Sequence, residues 1–147
     1  MHEELKLDNQ ICFRIYTAQR LLNQTYRPLL EPLGLTYPKY LVMLVLWEQD
    51  NRTVSEIGRQ LVLDTNTLTP LLQRMEKDGL IIRTHGIADG RQTLVTLTKK
   101  GVHLEERAKE IPSCLTQQWH GCPMDEKQAV AFVGMLDTLI ENLKQSK

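Results

Sequence analysis

The sequence predicts a mainly α fold that carries one small β-hairpin. Apolar residues recur at spacings of three, four and seven through most of the chain, and two short helical segments are joined by a tight turn. Two runs rich in β-branched residues flank a single polar stretch. At 147 residues the chain suits one domain, with a core large enough to need neither disulfides nor metals.

Residues 7–30 place Leu7, Ile11, Ile15, Ala18, Leu22 and Leu29 on one stripe of a long first helix, with Asp8 or an earlier residue as its cap. Pro32 and Gly34 end it, and Thr36-Tyr37-Pro38 starts a second helix with a capping threonine and a first-turn proline. Residues 40–47 are almost wholly apolar, so this helix is expected to be buried on most sides until Asp50-Asn51 breaks it. A short amphipathic helix follows over residues 53–61, with Val62-Leu63-Asp64 as a turn. The next helix covers residues 65–78, turning Leu68, Leu71, Leu72 and Met75 inward and stopping at Gly79. Pro70, tolerated near a first turn, places the start within a few residues of Asn66. Residues 80–84 and 93–97 form the hairpin around Ala88-Asp89-Gly90-Arg91. A helix then runs to about Ile111, where Pro112 ends it, and a last helix spans residues 125–144. Residues 113–124 read equally as a loop or a broken helix.

The 41% hydrophobic and 24% charged residues match a water-soluble globular chain, and no uncharged apolar run is long enough to span a bilayer. Met1-His2-Glu3-Glu4 lacks the basic-then-apolar pattern of a signal peptide, so a cytoplasmic location with no membrane partner is expected. Three cysteines, Cys12, Cys114 and Cys122, are an odd count without scaffold spacing; in a reducing compartment they are free thiols, redox groups or ligands. The formal net charge is zero, but residues 52–100 hold eight basic against five acidic side chains, so the middle segment is the one suited to an anionic partner.

A helix-turn-helix followed directly by a hairpin, here over about residues 52–100, is the order of a winged-helix module. Its second helix enters a DNA major groove and its hairpin reaches the adjacent minor groove. The leading end of the reading helix carries short polar side chains and backbone N–H groups suited to phosphates and base edges. Candidate DNA contacts are Thr65, Asn66, Thr67, Thr69, Gln73 and Arg74, with Asp89 and Arg91 on the wing. Taken singly, Asp64, Thr65 and Asn66 are ordinary capping residues and Arg91 an ordinary turn residue; the ordered combination carries the reading.

Leu68-Thr69-Pro70-Leu71-Leu72, Met75-Glu76-Lys77-Asp78-Gly79-Leu80-Ile81, and Asp89-Gly90-Arg91 leading to Leu97-Thr98-Lys99-Lys100-Gly101 resemble the MarR family of winged-helix regulators. Leu7-Asp8-Asn9-Gln10-Ile11-Cys12-Phe13 and Leu35-Thr36-Tyr37-Pro38-Lys39-Tyr40-Leu41 are similar to its organic hydroperoxide resistance branch. The resemblance covers residues 5–108 well and the remainder weakly. It implies a homodimer built from terminal helices, about residues 5–31 and 102–147, that represses from a pseudo-palindromic operator until an organic hydroperoxide oxidises a sensing cysteine. It also implies that Asp89 braces the wing and Arg91 enters the minor groove. Gly90 departs from the close family, which often has glutamate there.

Cysteine reacts with peroxide as the thiolate, which hydrogen-bond donors or positive charge must stabilise. Arg14 is near Cys12 in sequence but points to another helix face, so help must come from elsewhere. The resemblance supplies two tyrosine hydroxyls, Tyr26 and Tyr37. Tyr26 follows Cys12 by 14 residues, which on a straight helix returns it to nearly the same face about 21 Å away. An antiparallel crossing of two such helices would set it beside a partner's Cys12. The resemblance further implies a resolving thiol at Cys114 or Cys122; Cys122 is favoured because it directly precedes the last helix.

Cys114, His120 and Cys122 have none of the usual zinc-ligand spacings, so no metal and no other cofactor is expected. Two other functions compete: a MarR-type repressor released by a small aromatic ligand, and a thiol peroxidase using Cys12 as nucleophile. The second needs turnover and is usually built on an alternating strand-helix fold, which this chain lacks. No enzyme activity is expected.

Overall fold

The computed structural model describes residues 1–86, 92–118 and 124–146. Seven helices lie among them: α1 (Ile11–Leu30), α2 (Tyr37–Glu48), α3 (Val54–Leu61), α4 (Thr65–Lys77), α5 (Lys99–Ala108), α6 (Ile111–Gln118) and α7 (Glu126–Gln145). Three strands, β1 (Arg52–Thr53), β2 (Ile81–His85) and β3 (Thr93–Leu97), form one antiparallel sheet in the order β1-β3-β2. The chain divides into two compact units, Met1–Thr116 and Gln117–Lys147. Among the described residues no single helix is long and apolar enough to cross a membrane.

The first helix starts later than its periodicity predicts. Two 3-10 turns, Glu3–Leu5 and Leu7–Asn9, precede it, and Gln10 rather than Asp8 sits at the N-cap without a side-chain capping bond. The Asn9 side-chain amide donates to the Glu3 carbonyl and that of Gln10 to the Glu4 carbonyl, each at 2.7 Å, so local bonds replace the helical ones. Pro32 lies in a further 3-10 turn, Glu31–Leu33, closed by Gly34 with φ +71°. Thr36 holds the N-cap position of α2 with extended backbone, but its hydroxyl makes no capping bond. Tyr40, Val42, Met43, Val45 and Leu46 are buried as expected, and Leu44 alone of that run is openly exposed.

Thr53 and Glu56 close a reciprocal capping box on α3. The turn that follows brings the Leu63 N–H onto the Gly58 carbonyl at 2.9 Å, and a Cβ on Gly58 would sit 2.8 Å from the Leu63 oxygen. A glycine is therefore what lets the two helices of the motif meet so closely. Asp64 caps α4 through the Thr67 N–H at 2.8 Å, and Leu68, Leu71, Leu72 and Met75 turn into the core. Pro70 falls at the sixth residue of α4, beyond the first turn, and the helix runs through it. It withholds the donor that the Asn66 carbonyl would otherwise receive.

The predicted hairpin is β2 and β3, in the register Ile81↔Leu97 to His85↔Thr93. The two-residue β1, too short to announce itself in the sequence, adds a third strand through Arg52↔Val95. Beyond the sheet, Pro112 does not end a helix. α5 stops at Ala108, and Pro112 lies in the first turn of α6, where its missing N–H costs nothing; Ile111 and Leu115, one turn apart, anchor that helix. The Trp47 indole ties α2 to α5 by donating to the Gly101 carbonyl at 3.0 Å.

Candidate DNA interface and thiol site

The α3–α4 pair and the β2–β3 hairpin lie side by side within the first unit. Thr65, Asn66, Thr67, Gln73 and Arg74 are exposed on α4, and Thr69 is half-buried. At 100° per residue Asn66, Pro70, Gln73 and Lys77 share one line along the helix, and this is its outward ridge. Lys77 went unrecognised in the sequence, although its spacing from Asn66 and Gln73 carries the signal. Thr65 and Thr69 face differently: with Ser55, Arg83, His85 and Thr93 they line a cleft of ≈350 Å³ between α4 and the hairpin. The Thr67 N–H is already engaged by Asp64, so the helix start presents a capping carboxylate as well as donors. Asp89 and Arg91, the wing candidates, lie outside the described residues, as do Cys122 and His120.

One carboxylate links the reading helix to the hairpin. Glu76, in the last turn of α4, accepts the Arg83 backbone N–H at 2.9 Å and its guanidinium Nε and Nη2 at 3.2 and 3.1 Å. β2 is an edge strand, and the Arg83 N–H points away from β3, so this carboxylate satisfies a donor that the sheet leaves over. The bond to the Arg83 backbone, and then those to its side chain, hold the Glu76 carboxyl below its usual range. Neither partner of this clamp was marked in the sequence, since nothing there distinguishes an ordinary helix Glu from one facing a strand edge.

Cys12 is exposed and lies in the first turn of α1. The late helix start makes Cys12 the second residue of α1 instead of a residue one turn inside it. Tyr26 of α1 and Tyr37 of α2 bring their ring centroids to 4.7 Å, and Tyr40 joins them at 5.9 and 6.4 Å. The hydroxyls of all three make no hydrogen bond to another described residue. Burial, followed by the neighbouring Tyr37 and Tyr40, pushes the Tyr26 phenol up to about 12, and burial raises Tyr37 and Tyr40 as well. These phenols therefore stay protonated, as donors, across the neutral range. Tyr40, buried in the core as expected, completes the cluster one turn along α2 from Tyr37. Cys114 is half-buried on α6, between the anchors Ile111 and Leu115. Among the described residues no group of His, Cys, Asp and Glu is arranged to hold a metal.

A short helix pair, a capped outward-facing second helix and a clamped antiparallel hairpin define a winged helix-turn-helix, the architecture of DNA-reading regulators. The family model for the transcriptional regulator SarA/Rot matches residues 24–107. The organic hydroperoxide resistance transcriptional regulator of Bacillus subtilis is 43% identical over 143 residues, 97% of this chain and 95% of that protein. Reduced AbfR bound to DNA, a Staphylococcus epidermidis protein, superposes with a TM-score of 0.81 at 38% identity, over 97% of this chain and 98% of that one. Disulfide-formed AbfR superposes at 0.66 with 39% identity, over 94% and 95% of the two chains. The chain belongs to the SarA/Rot and MarR-type family of winged-helix transcription regulators, and its similarity to the hydroperoxide resistance regulator runs through nearly its whole length.

Proposed function

We propose that the protein is a homodimeric repressor that binds an operator through α4 and the β2–β3 hairpin and releases it when an organic hydroperoxide oxidises Cys12. The observation that carries the redox part is the exposed Cys12 at the start of α1, together with paired Tyr26 and Tyr37 hydroxyls that have no bond to another described residue. Near-full-length similarity to a hydroperoxide resistance regulator, and to AbfR in reduced, DNA-bound and disulfide-formed states, supports the same reading. The thiolate attacks the terminal peroxide oxygen, the O–O bond breaks, the sulfur keeps the hydroxyl as a sulfenic acid, and the departing alkoxide takes a proton from solvent and leaves as the alcohol. Condensation with Cys114 or Cys122 of a partner subunit then expels water and forms a disulfide.

The dimer is supported by exposed apolar side chains on α1 and on α7. Of the 20 residues of α1 only Leu30 is buried, and none of α7 is. Ile11 and Ile15 of the predicted α1 stripe are exposed, as are Phe132, Leu139 and Leu143, which share one face of α7 with Leu136. An antiparallel crossing of two α1 helices brings Tyr26 to the partner's Cys12. The test is a binding titration on DNA upstream of the protein's own gene, with and without an organic hydroperoxide: tight binding that the peroxide abolishes is expected, and binding indifferent to peroxide overturns the sensor.

One observation favours a second reading. A groove of ≈300 Å³ lined by Tyr40, Leu44, Trp47 and Pro112, with Glu48, Glu105 and Lys109 around it, has the size and apolar lining for a small aromatic ligand. Release by a phenolic acid and not by peroxide selects that alternative.

A further inference from the structure

A protein that sets a helix in a major groove and a hairpin in the neighbouring minor groove must straddle the sugar-phosphate ridge between the two grooves. The cleft between α4 and the β2–β3 hairpin is where that ridge has to pass, and its walls have the matching chemistry: the hydroxyls of Ser55, Thr65, Thr69 and Thr93, the imidazole of His85 and the guanidinium of Arg83. Glu76 accepts from Nε and one Nη of Arg83 and fixes the plane of the group, while its other Nη makes no bond to a described residue. The Thr93 hydroxyl engages Nδ1 of His85 at 2.9 Å, which orients that ring and leaves Nε2 over.

We infer that this cleft is a binding site for a backbone phosphodiester of the DNA, with Arg83 and His85 as its ligands and Glu76 as the residue that positions Arg83. The inference rests on the DNA-binding reading above and adds to it a contact that carries no base information. Guanidinium and phosphate pair through charge-assisted, directional bonds, and a carboxylate behind the arginine restricts its rotamers before DNA arrives. Such a contact tightens operator and unrelated DNA alike, and it releases a counterion on binding.

The experiment compares wild type, Arg83→Gln, His85→Ala and Glu76→Gln on operator and on a scrambled duplex across a potassium chloride series. Arg83→Gln is expected to weaken both duplexes about tenfold and to lower the slope of log affinity against log salt by about 0.9, the value for one phosphate. His85→Ala, at an exposed position whose loss leaves the core untouched, weakens both by about threefold, in the range of one neutral hydrogen bond. Glu76→Gln weakens binding while the slope stays at the wild-type value, because the cation remains. Ethylation of the ridge phosphate interferes with wild type and no longer does so with Arg83→Gln. If Arg83→Gln and Glu76→Gln give equal losses with unchanged slopes, Arg83 serves only the clamp and the inference falls. If His85→Ala binds both duplexes as wild type does, the assignment of His85 falls with it. Failure of wild type to bind any duplex would instead overturn the DNA-binding reading itself.

Discussion

Tyr26 on α1 and Tyr37 on α2 face each other with ring centroids 4.7 Å apart, and neither hydroxyl bonds to another described residue. Two helices thus bring two phenol rings into contact. Replacing either by phenylalanine keeps the ring packing and removes a donor. Tyr26→Phe and Tyr37→Phe are each expected to slow Cys12 oxidation by about tenfold, the value of one charge-assisted hydrogen bond, with operator affinity unchanged. Stopped-flow oxidation rates check this, and unaltered rates in both variants contradict it.

The Tyr26 phenol also sets an alkaline limit. Its folded value of about 12 lies above the ordinary 10, so the fold holds the proton more tightly than the unfolded chain. Stability is therefore full below pH 10 and declines as the pH rises from 10 through 12. Chemical denaturation at pH 9 and pH 11 is expected to show a larger loss for wild type than for Tyr26→Phe.

At the acid side the Glu76 clamp on Arg83 acts with the opposite sign. Its carboxyl is held below the ordinary 4.5 by the Arg83 backbone and side-chain bonds. The stability it lends is present above that ordinary value and is lost as the pH falls through the lowered one. Glu76→Gln should melt lower than wild type at pH 7, with the gap closing as the pH is taken below 4; a constant gap means that the carboxylate charge is not what matters. The clamp is partly solvated, so the effect at neutral pH stays within the range of exposed ion pairs, below about 1 kcal/mol.

Much of the fold is legible in the sequence because its signals are local. Leu68, Leu71, Leu72 and Met75 mark the inward face of α4, and the β-branched runs mark β2 and β3. The misreadings share a different cause. The start of α1 depends on Asn9 and Gln10 bonding to carbonyls six residues back, and β1 exists only because Arg52 meets Val95, so neither leaves a periodic trace. Pro112 is ambiguous in itself, since the same ring ends one helix or opens another. The site divides the same way. Thr65, Asn66, Gln73 and Arg74 are candidates by their place on a helix, whereas the Glu76–Arg83 clamp and the Tyr26–Tyr37–Tyr40 cluster join elements distant in the chain and leave no local pattern.

Gly101 illustrates a tertiary demand of this kind. A Cβ there would lie 2.3 Å from the Leu80 carbonyl oxygen, backbone that cannot step aside. Gly101→Ala is expected to destabilise the first unit by about 1–3 kcal/mol in spite of the better helix propensity of alanine. Urea denaturation measures it, and a stabilised variant contradicts the close approach of α5 to the strand entry.

The apolar face of α7 bears on assembly. Leu139→Glu places a charge in the middle of the face shared with Phe132, Leu136 and Leu143. Sedimentation is expected to show a shift from dimer to monomer with the winged module still folded, and operator affinity falling at least tenfold as one half-site is lost. A variant that remains a dimer removes α7 from the interface.

Peroxide acts on DNA binding through Cys12, the thiol that it oxidises first. Operator binding by wild type and Cys12→Ser is measured by fluorescence anisotropy while an organic hydroperoxide is added to about one equivalent per subunit. Both proteins should bind equally well at the outset, because Cys12 lies on α1, away from the α4 ridge; wild type should then dissociate, consuming peroxide stoichiometrically, while Cys12→Ser stays bound. Dissociation of Cys12→Ser at the same peroxide concentration, or continued consumption of peroxide far beyond one equivalent, would contradict the account.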